Sequence, residues 1–225
     1  MNAQDWKDIV DGVLEFNRLV TTEEERKTEE YYLKCCDLLE EEYVNELQET
    51  RNNLNSSFRN KPIEEWKCSV KLLDDMCDTL VTGIQALDCV SPSQLDADYV
   101  TKFLYPGYKD CGSFRHTFLA PIIDALNEAE EWGVDIVGAM KCVNANNLSK
   151  APLLSEIVGG AAESLTPAIL GEECDWIEAN RGYGKVASSS IAGTSLNSVR
   201  VIFRDKNLKV MKWRGYEDPK LEEFL

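Results

Sequence analysis

The residues best suited to chemistry in this chain are carboxylates at helical spacing. The stretch "LLEEEYVNEL" (38–47) carries Glu40, Glu41 and Glu42, then Glu46, with Glu49 just beyond. On an α-helix Glu42, Glu46 and Glu49 stand at i, i+4 and i+7 and share one face. A second stretch, "KLLDDMCDTL" (71–80), places Asp75 and Asp78 at i, i+3 and Asp74 and Asp78 at i, i+4. Like charges gathered this way repel and call for a cation. Mg²⁺ and Mn²⁺ take hard oxygen ligands, and such a cluster could hold ions that activate water and clamp a phosphate. In a chain with 40 acidic residues among 225, similar pairs also arise on solvated helix faces, so spacing alone leaves both readings open.

Little else competes for a catalytic role. The single His116 has no Ser or Cys constellation around it, and "GGAAES" and "RGYGK" do not continue into a phosphate-binding GxxxxGK[ST] loop. The eight cysteines show no CxxC spacing and read as reduced, small core residues rather than zinc ligands.

The carboxylates need helices to position them. Residues 4–20 repeat apolar side chains at helical spacing, through Trp6, Ile9, Val10, Val13, Leu14 and Val20. Thr22 and Glu25 form the pattern of a capping box for a second helix that can run to about residue 53. Its apolar stripe is Tyr32, Cys36, Leu39, Tyr43 and Leu47, and Glu42 and Glu46 lie about 100° from that stripe, at its border. A third helix is expected over about 63–89, with the stripe Trp66, Val70, Leu73, Cys77, Leu80, Ile84 and Leu87. A short connection between two long helices predicts an antiparallel pair whose acidic borders face one groove.

Downstream, Ser91-Pro92 opens a helix, "YPGYKDCGS" reads as loop, and "FRHTFLAPIIDALNEAEEW" and "VDIVGAMKCVNANN" read as helices. The segment 151–198 is weakly periodic, and its Gly- and Ser-rich end reads as loop. "SVRVIF" and "LKVMKW" alternate around "RDKN" as a β-hairpin, followed by a tail. The fold class is mainly α, a helical bundle with a small C-terminal β-hairpin. One domain over 1–225 is expected, with insertions at 91–139 and 151–199.

A net charge of −16 argues against a nucleic-acid partner, whose affinity rests on phosphate neutralisation. A small phosphorylated substrate is compatible with it. No run of 18 apolar residues exists and the N-terminus lacks signal-peptide character, so no membrane association and a cytoplasmic location are expected.

Taken in order, "FNRLV", "LLEEEYVNEL", "KLLDDMCDTLVTGIQAL", "NNLSK" and "LKVMKWRGYEDPKL" resemble the MazG-like all-α nucleoside triphosphate pyrophosphohydrolases. The likeness is to the phage and bacterial branch related to phosphoribosyl-ATP pyrophosphohydrolase, and it covers about 8–90, 140–150 and 205–221. It implies a Mg²⁺-dependent cleavage, with Mn²⁺ as the alternative ion, between the α- and β-phosphates of an NTP or dNTP, giving the monophosphate and pyrophosphate. Glu42 and Glu46 match the first and last glutamates of the family's EExxE, and Asp75 and Asp78 match its ExxD. These would be the catalytic metal ligands, one of them doubling as the base for the attacking water. Asn147 and Lys150 match an SNMSK-like segment, and Lys212 and Tyr216 match the C-terminal motif; all four would contact substrate. A homodimer or homotetramer would complete the bundle.

The chain departs from the pattern in two places. Tyr43 stands where EExxE has its second glutamate, so Glu49 or Glu41 would have to substitute, and Asp75 shortens the first ligand of ExxD by a methylene. The alternatives are a non-catalytic helical interaction protein, or a specialised relative such as a dUTPase or phosphoribosyl-ATP pyrophosphohydrolase.

Overall fold

The computed structural model describes residues 1–62, 67–101, 118–157, 167–182, 184–191, 199–207 and 209–225. Trp66, the "YPGYKDCGS" loop, His116 and "GGAAES" lie outside them. The architecture is mainly helical, with one two-stranded antiparallel sheet near the C-terminus. Among the described residues, no helix is long and apolar enough to cross a membrane. Where one domain is expected from the sequence, the chain divides into two compact units, Met1–Asn144 with Lys220–Leu225, and Ala145–Pro219.

The first unit begins with α1 (Ala3–Val20), opened by a capping box between Asn2 and Asp5. Trp6 is fully buried and donates its indole N–H to the Leu95 carbonyl at 2.8 Å. The Thr22–Glu25 capping box forms as expected, yet α2 (Glu23–Arg26) lasts one turn. Thr28 then caps afresh, its hydroxyl accepting from Tyr31 N–H at 3.1 Å, and α3 (Glu29–Glu40) follows. A π-helical stretch, Glu41–Leu47, carries the chain into α4 (Gln48–Phe58), with the Gln48 N–H bonded to the Tyr43 carbonyl.

The wide turn has a cause in the sequence. Cys35, Leu39, Tyr43 and Leu47 recur every four residues, a step that drifts by about 40° on an α-helix. One π turn takes up that drift, so Leu39 and Leu47 are both buried and Tyr43 packs against the core. The buried stripe therefore starts at Cys35, not at the expected Cys36, which is only half-buried.

Helix α5 (Val70–Val90) starts later than the expected residue 63, because Ser69 caps it by accepting from Leu72 N–H at 3.0 Å. It is the centre of the first unit: Leu72, Leu73, Met76, Cys77, Leu80, Ile84 and Leu87 are buried with α1, the π stretch and α7 (Leu119–Trp132). Cys35 and Leu39 pack near its end at Ala86 while Lys71 at its start meets Glu46, so α5 runs antiparallel to α3 and the π stretch. Gly83 permits the approach to α7, since a Cβ there would fall 2.7 Å from Ile122. A short 3₁₀ turn (Pro92–Leu95) and α6 (Ala97–Thr101) follow α5. Helix α8 (Ile136–Ser149) meets α1 at Gly12, where a Cβ would fall 2.3 Å from the Asn144 amide. The expected C-terminal tail returns to this unit as a 3₁₀ turn, Leu221–Phe224, with Leu221 buried.

The second unit contains α9 (Leu154–Ile157), α10 (Pro167–Arg181) and the strands β1 (Val186–Ile191) and β2 (Arg200–Asp205). The expected hairpin has a different partner. "RDKN" does turn, with Asp205 Oδ1 accepting from Asn207 and Lys209 N–H at 2.8 and 2.9 Å. The residues after it make only a bridge, Arg204 to Val210. The strand that pairs fully with β2 is β1, from Val186 opposite Asp205 to Ile191 opposite Arg200. It lies in the stretch expected to be loop, because "VASSSI" has no apolar alternation to betray a strand. Val201 and Phe203 are buried with Leu154, Ile177 and Met211 in a core separate from that of the first unit.

Candidate functional site

The acidic residues of the π stretch and of α5 come together. Glu42 is half-buried, and its carboxyl is pushed up to about 7, first by burial and then by the charges of Asp78, Glu46 and Asp75, with Lys71 opposing. Those charges can act on Glu42 only if the four carboxylates are neighbours. Asp75, expected at the border of the apolar stripe, is 1% exposed. Its Oδ1 accepts from Lys71 at 2.5 Å, and its Oδ2 is buried with no hydrogen-bond partner. Glu49 is exposed and lines a neighbouring groove with Glu46 and Lys71.

Lys71 is the residue that a search for carboxylates overlooks. Its ammonium donates to Glu46 at 2.6 Å as well as to Asp75, bridging the π stretch and α5. Burial works against that charge, but the hydrogen bonds to Asp75 and Glu46 and their charges hold it above the usual lysine range. Its i, i+4 spacing to Asp75 is visible in the sequence and is a signal for such a pair.

The chemistry of this donor set suits a hard divalent cation, since every group is a carboxylate oxygen and one buried oxygen has no donor. The arrangement is nevertheless closed around an ammonium. Among the described residues, no three His, Cys, Asp or Glu side chains stand close enough to share one ion.

Tyr43, in the place of the family's second glutamate, serves another contact. Its hydroxyl donates to Asp124 Oδ2 at 3.1 Å on α7, and burial followed by the Asp124 charge raises its phenol. Arg51 pairs with the same carboxylate at 3.0 Å and with the buried Glu128. Glu128 also accepts from the Trp132 indole at 3.0 Å.

The four expected substrate contacts all lie in the second unit, and they converge there. Lys150 donates to Asn147 Oδ1 at 2.6 Å. Its ammonium lies 5.9 Å from the centre of the Tyr216 ring, and that of Lys212 lies 4.8 Å from it. The Tyr216 hydroxyl donates to Asn146, a residue the sequence suggested only as a helix end. Arg181 holds the turn from below by donating to the Trp213 and Tyr216 carbonyls at 3.2 and 3.3 Å. Lys212 donates to Asp218, and this bond, aided by the charges of Lys212, Arg181 and Lys150, holds the Asp218 carboxyl below its usual range. In a chain of net charge −16 this is a local concentration of cations suited to an anionic group.

No protein-family model, curated protein or solved structure matches the chain.

Proposed function

We propose that the chain is a Mg²⁺-dependent nucleoside triphosphate pyrophosphohydrolase, cleaving an NTP or dNTP to the monophosphate and pyrophosphate. The observation that carries the reading is the convergence of Glu42, Glu46, Asp75 and Asp78, with a buried Asp75 oxygen that has no donor. Glu46, Asp75 and Asp78 would hold the cation, with Glu49 at the margin. A bound Mg²⁺ or Mn²⁺ would neutralise phosphate charge and lower the pKa of a water.

The remaining work falls to the protein. Glu42 titrates near neutrality, which suits it to take the proton of a water attacking the phosphoanhydride. Asp75, fixed by burial on α5, gives the cluster a rigid base. In the second unit, Asn147, Lys150, Lys212 and Tyr216 have the phosphate- or sugar-binding role that the resemblance implies. Association into a homodimer or homotetramer belongs to the same proposal and would cover the exposed Leu33, Leu38 and Val44; sedimentation of the full chain tests it.

A second reading rests on Lys71. Its two ion pairs already compensate Glu46 and Asp75, as they would in a helical interaction protein whose carboxylates are structural charge. Pyrophosphate release from a panel of NTPs and dNTPs with Mg²⁺ or Mn²⁺ separates the two. The hydrolase reading expects release that falls at least a hundredfold in Glu46→Ala and Asp78→Ala. Absence of release from every nucleotide, or release indifferent to both substitutions, leaves the interaction protein.

A further inference from the structure

We propose that Lys71 is a displaceable internal cation that competes with a divalent metal ion for Glu46 and Asp75, so that metal loading is an exchange of the lysine for the ion. The inference rests on reading these carboxylates as cation ligands, and it adds how the site is kept when no ion is bound.

The geometry supplies the argument. The Lys71 ammonium lies 2.6 Å from Glu46 and 2.5 Å from Asp75, so it spans two elements at the point where an ion bridging the same carboxylates would sit. The two halves of this bridge differ in character. Glu46 and Lys71 have side chains 39% and 55% exposed, and an ion pair so open to water is easily broken. Asp75 is 1% exposed, and a carboxylate buried to that extent cannot lose its counter-charge without another replacing it. The lysine can therefore leave only if a cation arrives.

The cluster also remains short of positive charge while the lysine is in place. Glu42, Glu46, Asp75 and Asp78 gather around the one ammonium of Lys71, and Asp75 Oδ2 has no donor at all. A divalent ion brings twice the charge and can satisfy that second oxygen. Once displaced, Lys71 remains on the wall of a polar groove of about 490 Å³ that it lines with Glu49, Thr50, Asn53, Ser57 and Ser69. Its aliphatic stem already reaches water there, so the move requires no unfolding of α5.

The test is Mn²⁺ binding alone, without nucleotide, measured on the full chain by calorimetry or by the paramagnetic resonance of free Mn²⁺. Lys71→Gln should bind Mn²⁺ at least ten times more tightly than the unmodified chain, and Lys71→Met should do the same. In the unmodified chain, the acylation rate of Lys71 by an amine-reactive ester, read by mass spectrometry, should rise at least threefold when Mn²⁺ is added. Equal or weaker binding in the variants, or an acylation rate unmoved by Mn²⁺, overturns the exchange. Pyrophosphate release is scored separately. Release together with unaltered Mn²⁺ binding in Lys71→Gln removes the exchange and leaves the hydrolase. Tighter Mn²⁺ binding without release from any nucleotide leaves the exchange and removes the hydrolase.

Discussion

The Tyr43 hydroxyl donates to Asp124 across the boundary between the π stretch and α7, at 3.1 Å. The side chain that replaces a glutamate of the EExxE pattern is thus engaged with α7 and packed against the core. Tyr43→Phe should lose one partly buried hydrogen bond, about 1 kcal/mol of stability in urea titration, and leave Mn²⁺ binding unchanged. Tyr43→Glu, which restores the family pattern in sequence, should lower stability by placing a second carboxylate against Asp124 and should not tighten Mn²⁺ binding.

Arg51 carries the counter-charge for the Asp124 and Glu128 carboxylates of α7. Glu128 is buried, so Arg51→Met leaves a charge with only the Trp132 indole as a donor. A loss of about 3 kcal/mol is expected, measured by urea unfolding. The double variant Arg51→Met with Glu128→Gln should recover a large part of it.

Glu42 makes stability depend on pH in a stated direction. Its carboxyl sits at about 7 in the folded chain against an ordinary 4.5, so between those values the folded state holds more protons than the unfolded one. Unfolding free energy therefore falls as pH rises through that window, and the cost is fully present above it. Glu42→Gln should flatten this limb and gain about 1 kcal/mol at pH 8, a figure reduced for solvent screening, with no gain at pH 4. Urea midpoints of both proteins from pH 4 to 8 check the difference. Saturating Mg²⁺ should flatten the same limb in the unmodified chain.

Gly12 lets α1 lie against Asn144, whose amide donates to the Ile9 carbonyl at 3.1 Å. A methyl group at position 12 would fall 2.3 Å from that amide. Gly12→Ala should therefore cost about 2 kcal/mol despite the better helix propensity of alanine. Thermal unfolding reads it.

In the second unit, Tyr216 is the ring over which Lys150 and Lys212 are held. Tyr216→Ala should weaken binding of inorganic pyrophosphate at least fivefold by calorimetry and leave Mn²⁺ binding unaltered. Tyr216→Phe keeps the ring and loses only the bond to Asn146, so it should fall between the two.

The legible parts of this protein were those set by helical periodicity. Leu73, Cys77, Leu80, Ile84 and Leu87 announce the buried stripe of α5, and Trp6, Ile9 and Val13 announce that of α1. The end of α2 was not legible, because the Thr22–Glu25 box is a strong start signal and nothing in "ERKTEE" marks a stop. Strand β1 escaped because serine and alanine carry no apolar alternation, and its partnership with β2 is a tertiary choice. The convergence of Glu42 with Asp78 was anticipated, whereas the burial of Asp75 ran against the ordinary exposure of aspartate. Lys71 was in plain view four residues before Asp75, and only the three-dimensional pairing with Glu46 gives it meaning.

The π turn at Glu41–Leu47 acts as a phase shifter built into one long helix. It sets the rotation of everything after it, Arg51 included, relative to everything before it. Removing one residue there, such as the exposed Asn45, would let the helix revert to a plain α form with an intact backbone ladder. The change would turn the two halves by about 100° relative to each other. Either Leu39 or Leu47 would then leave the core, or Glu42 and Glu46 would part company. Length in this segment is thus as constrained as residue identity, although its exposed face tolerates nearly any side chain.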